Sequence, residues 1–195
     1  MNPALQASKR ALRLKLRDLS DRLDAAHRAE ASAQARSLLE QQRAWQEARS
    51  ILLYAPMPGE LDVWPLAADA LAAGKAVALP RFDPGSKKYV ACGIESVDTH
   101  IVTGHFGIRE PAGHCVVIDL REVNLVLVPG VAFDRTGARL GRGKGYYDRL
   151  LALAGGLTCG VAFDEQIVDS IPVEPHDIRV QRVLTPTRWI EPVAG

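Results

Sequence analysis

Beyond Ser50 the chain is broken into short apolar runs of strand length, and their spacing restricts the fold more than any other feature. The runs are Ile51 to Tyr54, Ala76 to Leu79, Val116 to Ile118, Leu125 to Val128 and Cys159 to Phe163. Each reads as a short buried strand. Between the first two lies an amphipathic segment, Val63 to Ala73, that stops at Gly74 as a helix does at its C-cap. Strand, helix and strand at that spacing imply a βαβ unit, and with it an α/β sheet, mostly parallel or mixed, covered by helices. Val183 to Leu184 adds a last candidate strand. Residues 3–48 differ: rich in Ala, Leu, Arg, Glu and Gln, with no interior glycine or proline, they predict an N-terminal helical pair. Ser20 is the candidate N-cap between a first helix and a second, longer one. With 195 residues, 47% of them hydrophobic, the chain can bury a full core, and residues 1–195 are expected to form one layered domain.

The chemistry concentrates in Arg139-Leu140-Gly141-Arg142-Gly143-Lys144-Gly145-Tyr146-Tyr147-Asp148, read as standing directly after the Leu125 to Val128 run and directly before an apolar helical segment. Glycines let backbone N–H groups crowd an anion, the basic side chains add charge, and the following helix turns its positive end the same way. The loop reads as a phosphate site, or else as a tight surface turn with solvated charges. It is no Walker A loop: Lys144 precedes Gly145 instead of Ser or Thr, and position 138 is Ala. Nor is it a dinucleotide turn, because Tyr146 stands where a glycine is required. Asp148 can serve a magnesium ion or its water shell, or simply suit a first helical turn. Tyr146 and Tyr147 fit either the core or the wall of a ring-binding pocket.

On a helical wheel Leu5, Leu12, Leu16 and Leu19 fall within roughly 60°, a buried stripe. Lys9 falls about 40° from Leu5, against that stripe, with Arg13 at its edge, whereas Arg10 and Arg17 face outward. A lysine there either snorkels or meets an anion. With Arg13 one turn on, the sharper expectation is that both reach a phosphate from across the loop. Glu60, after the first strand and a proline-stiffened turn, is placed to accept N–H groups of a ligand or to cap the next helix, as is Asp62. Near the end, Asp177 can complete a magnesium site with Asp148, and His176 reads as a hydrogen-bonding turn residue.

Other classes recede. A formal net charge of +1, from 24 basic and 23 acidic residues, gives no field for nucleic acid or a membrane surface. No apolar run approaches the length of a membrane span, and the N-terminus lacks a secretory pattern. Cys92, Cys115 and Cys159 stand far apart with no Cys-x-x-Cys, which argues against a disulfide scaffold or a zinc site and suits a reducing cytoplasm.

Taken with these residues, the chain resembles the 5-formyltetrahydrofolate cyclo-ligases, also called methenyltetrahydrofolate synthetases. The resemblance runs from Lys9-Arg10-x-x-Arg13 through the Glu60 loop and Leu79-Pro80-Arg81. Its most specific part is Val128-Pro129-Gly130-Val131-Ala132-Phe133-Asp134, continued through Gly137 into the glycine-rich block. Phe163 to Gln166, Ile171-Pro172 and His176-Asp177 extend it to the end. The resemblance implies an ATP- and Mg²⁺-dependent ring closure of 5-formyltetrahydrofolate to 5,10-methenyltetrahydrofolate, with ADP and phosphate released. It implies ATP binding by Lys9, Arg13, Arg139, Leu140, Gly141, Arg142, Gly143, Lys144, Gly145, Tyr146 and Tyr147, with Arg142 and Lys144 catalytic. It gives the folate Ala55, Glu60, Phe106 and the Arg142 to Tyr146 loop, and the metal Asp148 and Asp177. Phe106 stands where some relatives carry tryptophan. The expected partners are small molecules, with no nucleic acid and no membrane, and the expected state is a monomer or weak homodimer. The alternatives are another phosphate-using enzyme on the same scaffold and a non-catalytic folate or nucleotide binder.

Overall fold

A computed structural model describes residues 3–21, 23–104 and 107–193, with residues 18–21 described by their backbone alone. Three helices precede the first strand: α1 (Pro3–Asp21), α2 (Ala25–Glu40) and α3 (Arg43–Glu47). The break between the first two falls past Ser20, whose backbone is helical. Asp24 caps α2 instead, its carboxylate accepting the His27 N–H at 2.7 Å. A carboxylate satisfies an orphan N–H and also meets the positive helix end, which a hydroxyl does not. The short α3, anchored by buried Trp45, adds a third helix to the expected pair.

The sheet follows. β1 (Ser50–Leu52) leads through α4 (Pro65–Ala72) to β2 (Ala76–Asp83), which turns back as β3 (Lys88–Ile94). A separate hairpin, β4 (Ile101–Thr103) and β5 (Arg109–Pro111), precedes β6 (Leu125–Pro129). Then come β7 (Ala132–Asp134), β8 (Arg139–Leu140), α5 (Tyr146–Leu151), β9 (Leu157–Val161), β10 (Ile167–Val168), β11 (Arg182–Leu184) and β12 (Trp189–Ile190). Seven strands form one sheet in the order β12-β11-β9-β6-β1-β2-β3. The five inner strands are parallel, and antiparallel β3 and β12 form its edges.

The apolar runs are unbroken because both faces of these strands are buried. Ile51, Leu53, Leu125 and Leu127 pack with Leu39 of α2 and Leu66 of α4, while Leu52, Val126 and Val128 pack with Leu150 and Leu151 of α5. Each such side chain, fully withdrawn from water, contributes about 1.5–3 kcal/mol before entropy is counted. The helix expected from Val63 to Ala73 forms over Pro65–Ala72. Gly74, at φ 75°, ends it: its N–H donates to Leu71 and that of Lys75 to Ala70, a Schellman closure.

One expected strand is absent. Val116 and Val117 are 73% and 54% exposed, and the segment meets β3 only at a single bridge, Val117 to Cys92. An apolar run without a face to bury has no reason to extend its pairing. The glycine-rich block also does not follow β6 directly, since the β7–β8 hairpin intervenes and returns the chain to the end of β6. That hairpin's turn depends on Gly137, at φ 78°, where an added Cβ would stand 2.2 Å from the Val180 carbonyl oxygen. Gly137→Ala should therefore destabilise the protein by about 2–3 kcal/mol, seen as a lower urea midpoint at unchanged slope.

From β1 the chain runs outward through β2 to β3, then crosses back to β6, β9 and β11 on the other side. Strand order thus reverses between β1 and β6, and the loops leaving their carboxyl ends diverge around a crevice, the place where open α/β sheets hold ligands.

Candidate active site

Three loops and one helix converge on that crevice. The loop after β1 brings Glu60, whose side chain is 9% exposed. Its Oε2 accepts the Met57 N–H at 3.0 Å, and its Oε1 pairs with Arg142 Nη2 at 3.0 Å and Nε at 3.2 Å. Burial pushes the Glu60 carboxyl above its ordinary range, against the downward pull of the Met57 N–H and Arg142. The Glu60–Arg142 pair ties the loop after β1 to the loop after β8. Neither Glu60 nor Asp62 caps α4, whose N-cap is Trp64 with no side-chain bond; Asp62 accepts the Trp64 N–H at 3.0 Å in the turn before it. Ala55 sits half-buried at the start of the same loop.

The loop after β8 is held from both sides. Arg13 on α1 donates from Nε to the Gly141 carbonyl at 2.7 Å. Arg139, 4% exposed in its side chain, pairs with Asp148 at 3.0 Å and reaches the Pro129 carbonyl at 3.4 Å. Leu140 is buried beside Leu16 and Ile171, so it can offer a ligand only its backbone. Gly143 and Gly145 take φ of 95° and 64°, turns that glycine alone makes without strain, and Gly145 opens α5. Lys144 is exposed, and its ammonium has no hydrogen bond or ion pair among the described residues.

The two tyrosines separate. Tyr147 packs into the core under Arg139, and burial, with the nearby Glu60 charge second, pushes its phenol far up. Tyr146 joins Phe82 and Tyr89 of the β2–β3 hairpin in edge-to-face contacts, with centroids 6.0 and 5.0 Å away. Burial first, then Glu110, raises the Tyr89 phenol to about 12. Phe82 and Tyr89 went unnoticed in the sequence because they lie on a half-polar edge hairpin. Gln166 was also missed as a site residue: it holds the turn after β6 by donating to the carbonyls of Gly130 at 3.3 Å and Val131 at 3.1 Å.

Lys9 does meet anions, and they are the protein's own. It is 5% exposed, and its ammonium binds Glu174 at 3.3 Å and also Asp177. A cation on a buried stripe is stable only when paired, and Glu174, not singled out from the sequence, is one of the partners Lys9 finds. Burial pushes the Asp177 carboxyl upward, yet Lys9 and the Glu174 N–H outweigh it and hold that carboxyl below its ordinary value. Asp148 and Asp177 therefore have separate cationic partners, each bound through one oxygen. The second oxygen of each is a hard donor suited to magnesium, which favours few carboxylates plus phosphate and water. His176 is exposed, 3.9 Å from Glu174 and from Asp177. Phe106 lies outside the described residues.

Two clefts meet at the Pro58–Gly59–Glu60 turn, which lines both. One, of about 360 Å³, is walled by Arg10, Arg13, Arg17, Glu60, Gly130 and Arg142, among others, and is strongly basic. The other, of about 510 Å³, is walled by Met57, Pro58, Glu60, Ile108 and Arg109, among others. Arg10 and Arg17 face outward as the wheel predicted, yet they edge the basic cleft. A basic cleft suits polyanions, and the neighbouring one, where Pro56, Met57, Pro58 and Ile108 stand with the Glu60 carboxylate among Arg28, Asp62 and Arg109, suits a ring with N–H groups.

The model of the 5-formyltetrahydrofolate cyclo-ligase family matches residues 5–186. A 5-formyltetrahydrofolate cyclo-ligase from Escherichia coli is 34% identical over 145 residues, 72% of this chain and 80% of that one. One from Mycolicibacterium smegmatis is 45% identical over 93 residues, a match spanning 46% of this chain and about half (48%) of the relative. The solved structure of a 5,10-methenyltetrahydrofolate synthetase from Aquifex aeolicus superposes with a TM-score of 0.86 at 33% identity, covering 96% of this chain and 94% of that one. No described helix is long and apolar enough to cross a membrane.

Proposed function

The chain belongs to the 5-formyltetrahydrofolate cyclo-ligase family, and from that premise we propose that it converts 5-formyltetrahydrofolate to 5,10-methenyltetrahydrofolate at the cost of ATP. The observation that carries this reading is the Glu60–Arg142 pair at the point where the basic cleft meets its neighbour. A reaction joining a nucleotide phosphate to a folate oxygen needs those two ligands side by side.

In the proposed sequence the formyl oxygen attacks the terminal phosphorus of ATP, and the bond to ADP breaks. N10 then adds to the activated formyl carbon and loses its proton, and phosphate departs with the former formyl oxygen. An amide-like oxygen leaves poorly, so conversion to phosphate is what makes ring closure possible. Phosphoryl transfer asks a protein for positioning and charge neutralisation. Arg13, Arg142, Lys144 and the Gly141 to Gly145 backbone supply these, while Arg139 and Lys9 hold Asp148 and Asp177 in place. Asp148 and Asp177 would hold Mg²⁺, which supplies neutralisation of the phosphate charge when bound. Glu60 accepts the N–H edge of the pterin ring, and Tyr146, backed by Phe82 and Tyr89, offers a ring wall.

Following the methenyl product's absorbance with 5-formyltetrahydrofolate and Mg-ATP tests this. ATP-dependent formation is expected, and no product, or equal product without ATP, overturns it. Glu60→Ala should chiefly raise KM for the folate, by about 30-fold, because a buried hydrogen-bonded charge loses its partner. kcat should stay within about threefold, and a change in KM for ATP instead would place Glu60 on the wrong ligand.

A further inference from the structure

We propose that His100, His114 and Cys115 form a site for one borderline-soft divalent cation of the zinc class, at the base of the β4–β5 hairpin. A ring nitrogen of each histidine and the Cys115 sulfur all lie within 4.8 Å of one another. Two imidazoles and a thiolate are a donor set that zinc takes in tetrahedral geometry, with water in the fourth position. Magnesium and calcium prefer oxygen and have no claim on it. The argument against zinc from cysteine spacing counted cysteines alone, whereas two of these ligands are histidines brought in by the hairpin.

The backbone that carries the ligands is tightly tied. His100 precedes β4, and His114 and Cys115 follow β5. The Ala112 N–H donates to the His100 carbonyl at 2.8 Å, and the Cys115 N–H to the Ala112 carbonyl at 3.0 Å. Arg81 Nη1 adds bonds to the carbonyls of Ala112 at 2.7 Å and Cys115 at 3.1 Å. The two rings stand edge-to-face, with centroids 4.9 Å apart. Exposure grades from buried Cys115 through half-buried His100 to exposed His114, which leaves an approach for an ion and its water.

Binding rearranges two contacts. The Cys115 thiol donates to the His100 carbonyl at 3.6 Å, and His100 Nδ1 accepts the Glu95 N–H at 3.2 Å. A bound cation takes the thiol as thiolate, so the thiol proton leaves to solvent and the first contact is lost. It also takes either Nδ1 of His100 or, after the ring proton moves to Nδ1, Nε2. Both routes remove the acceptor of the Glu95 N–H, which makes that amide a reporter. The tip of the same hairpin, Gly107 to Arg109, walls the larger cleft, so the cation would clamp the base of a substrate-facing element.

Cobalt(II) titrated into the full-length protein tests the site. Saturation at one ion per chain is expected, with a thiolate-to-cobalt charge-transfer band, four-coordinate visible bands and displacement by zinc. His114→Ala, whose side chain is exposed and spares the fold, should weaken binding about tenfold or more. Cys115→Ser should abolish the charge-transfer band while Cys92→Ser keeps it, and zinc should shift the Glu95 amide resonance. No band, a band that survives Cys115→Ser, or affinity unchanged in His114→Ala would overturn the site. Should Cys115→Ser fail to fold, the His114→Ala affinity decides alone.

Discussion

Lys144→Ala is expected to lower turnover about 10³-fold while leaving the thermal midpoint and folate affinity unchanged. Three other basic groups that hold the loop already have work inside the protein. Arg139 is bound to Asp148, Arg142 to Glu60, and Arg13 to the Gly141 carbonyl. Lys144 differs, being exposed on a glycine-flanked loop with no protein partner for its ammonium among the described residues. It can therefore follow charge as that charge develops on the transferring phosphoryl group, and only interactions stronger in the transition state raise kcat. For the same reason its removal leaves no buried group unpaired, so stability should be unaffected. Steady-state kinetics on the methenyl absorbance, with a thermal melt as control, check both halves. Turnover within about tenfold of the parent would remove the loop's catalytic role.

Lys9→Met should destabilise the fold by about 2–4 kcal/mol, because it takes the lysine ammonium away from buried Glu174 and half-buried Asp177. The effect should depend on pH with a definite sign. In the parent protein Asp177 is held below its ordinary value of 3.8. Its contribution is therefore present above that value and lost as pH falls through the lowered folded-state value. In Lys9→Met burial acts without Lys9's opposing charge, so protonating Asp177 becomes favourable in the folded state. The deficit should accordingly shrink as pH falls from neutral toward 4. Urea midpoints of both proteins measured across that range check this, and a deficit that stayed constant with pH would contradict the pairing.

The parts of the fold that could be read in advance were those where local pattern and tertiary burial agree. Leu125 to Val128 is apolar at every position because both faces of β6 are covered, and Gly74 ends α4 where the sequence says it should. Val116 to Ile118 failed because three apolar residues cannot state whether anything will cover them. Helix periodicity placed Lys9 correctly against the buried stripe but could not name its partner, since Glu174 is separated from it by nearly the whole chain. The glycine-rich block carries its expectation of an anion in local backbone chemistry alone. Its junction with Glu60 was not legible, because that contact exists only where β1 and β6 become neighbours. The His100, His114 and Cys115 cluster was hidden for a related reason: the β4–β5 hairpin, not sequence spacing, assembles it.

The central claim is that ATP is spent on the formyl oxygen itself, at the meeting point of the two clefts. Single-turnover reaction of 5-formyltetrahydrofolate carrying oxygen-18 in its formyl group, with mass analysis of the released phosphate, tests it most directly. The account predicts that each phosphate carries that one labelled oxygen. Unlabelled phosphate, with the label recovered in water or retained on the folate, would contradict it.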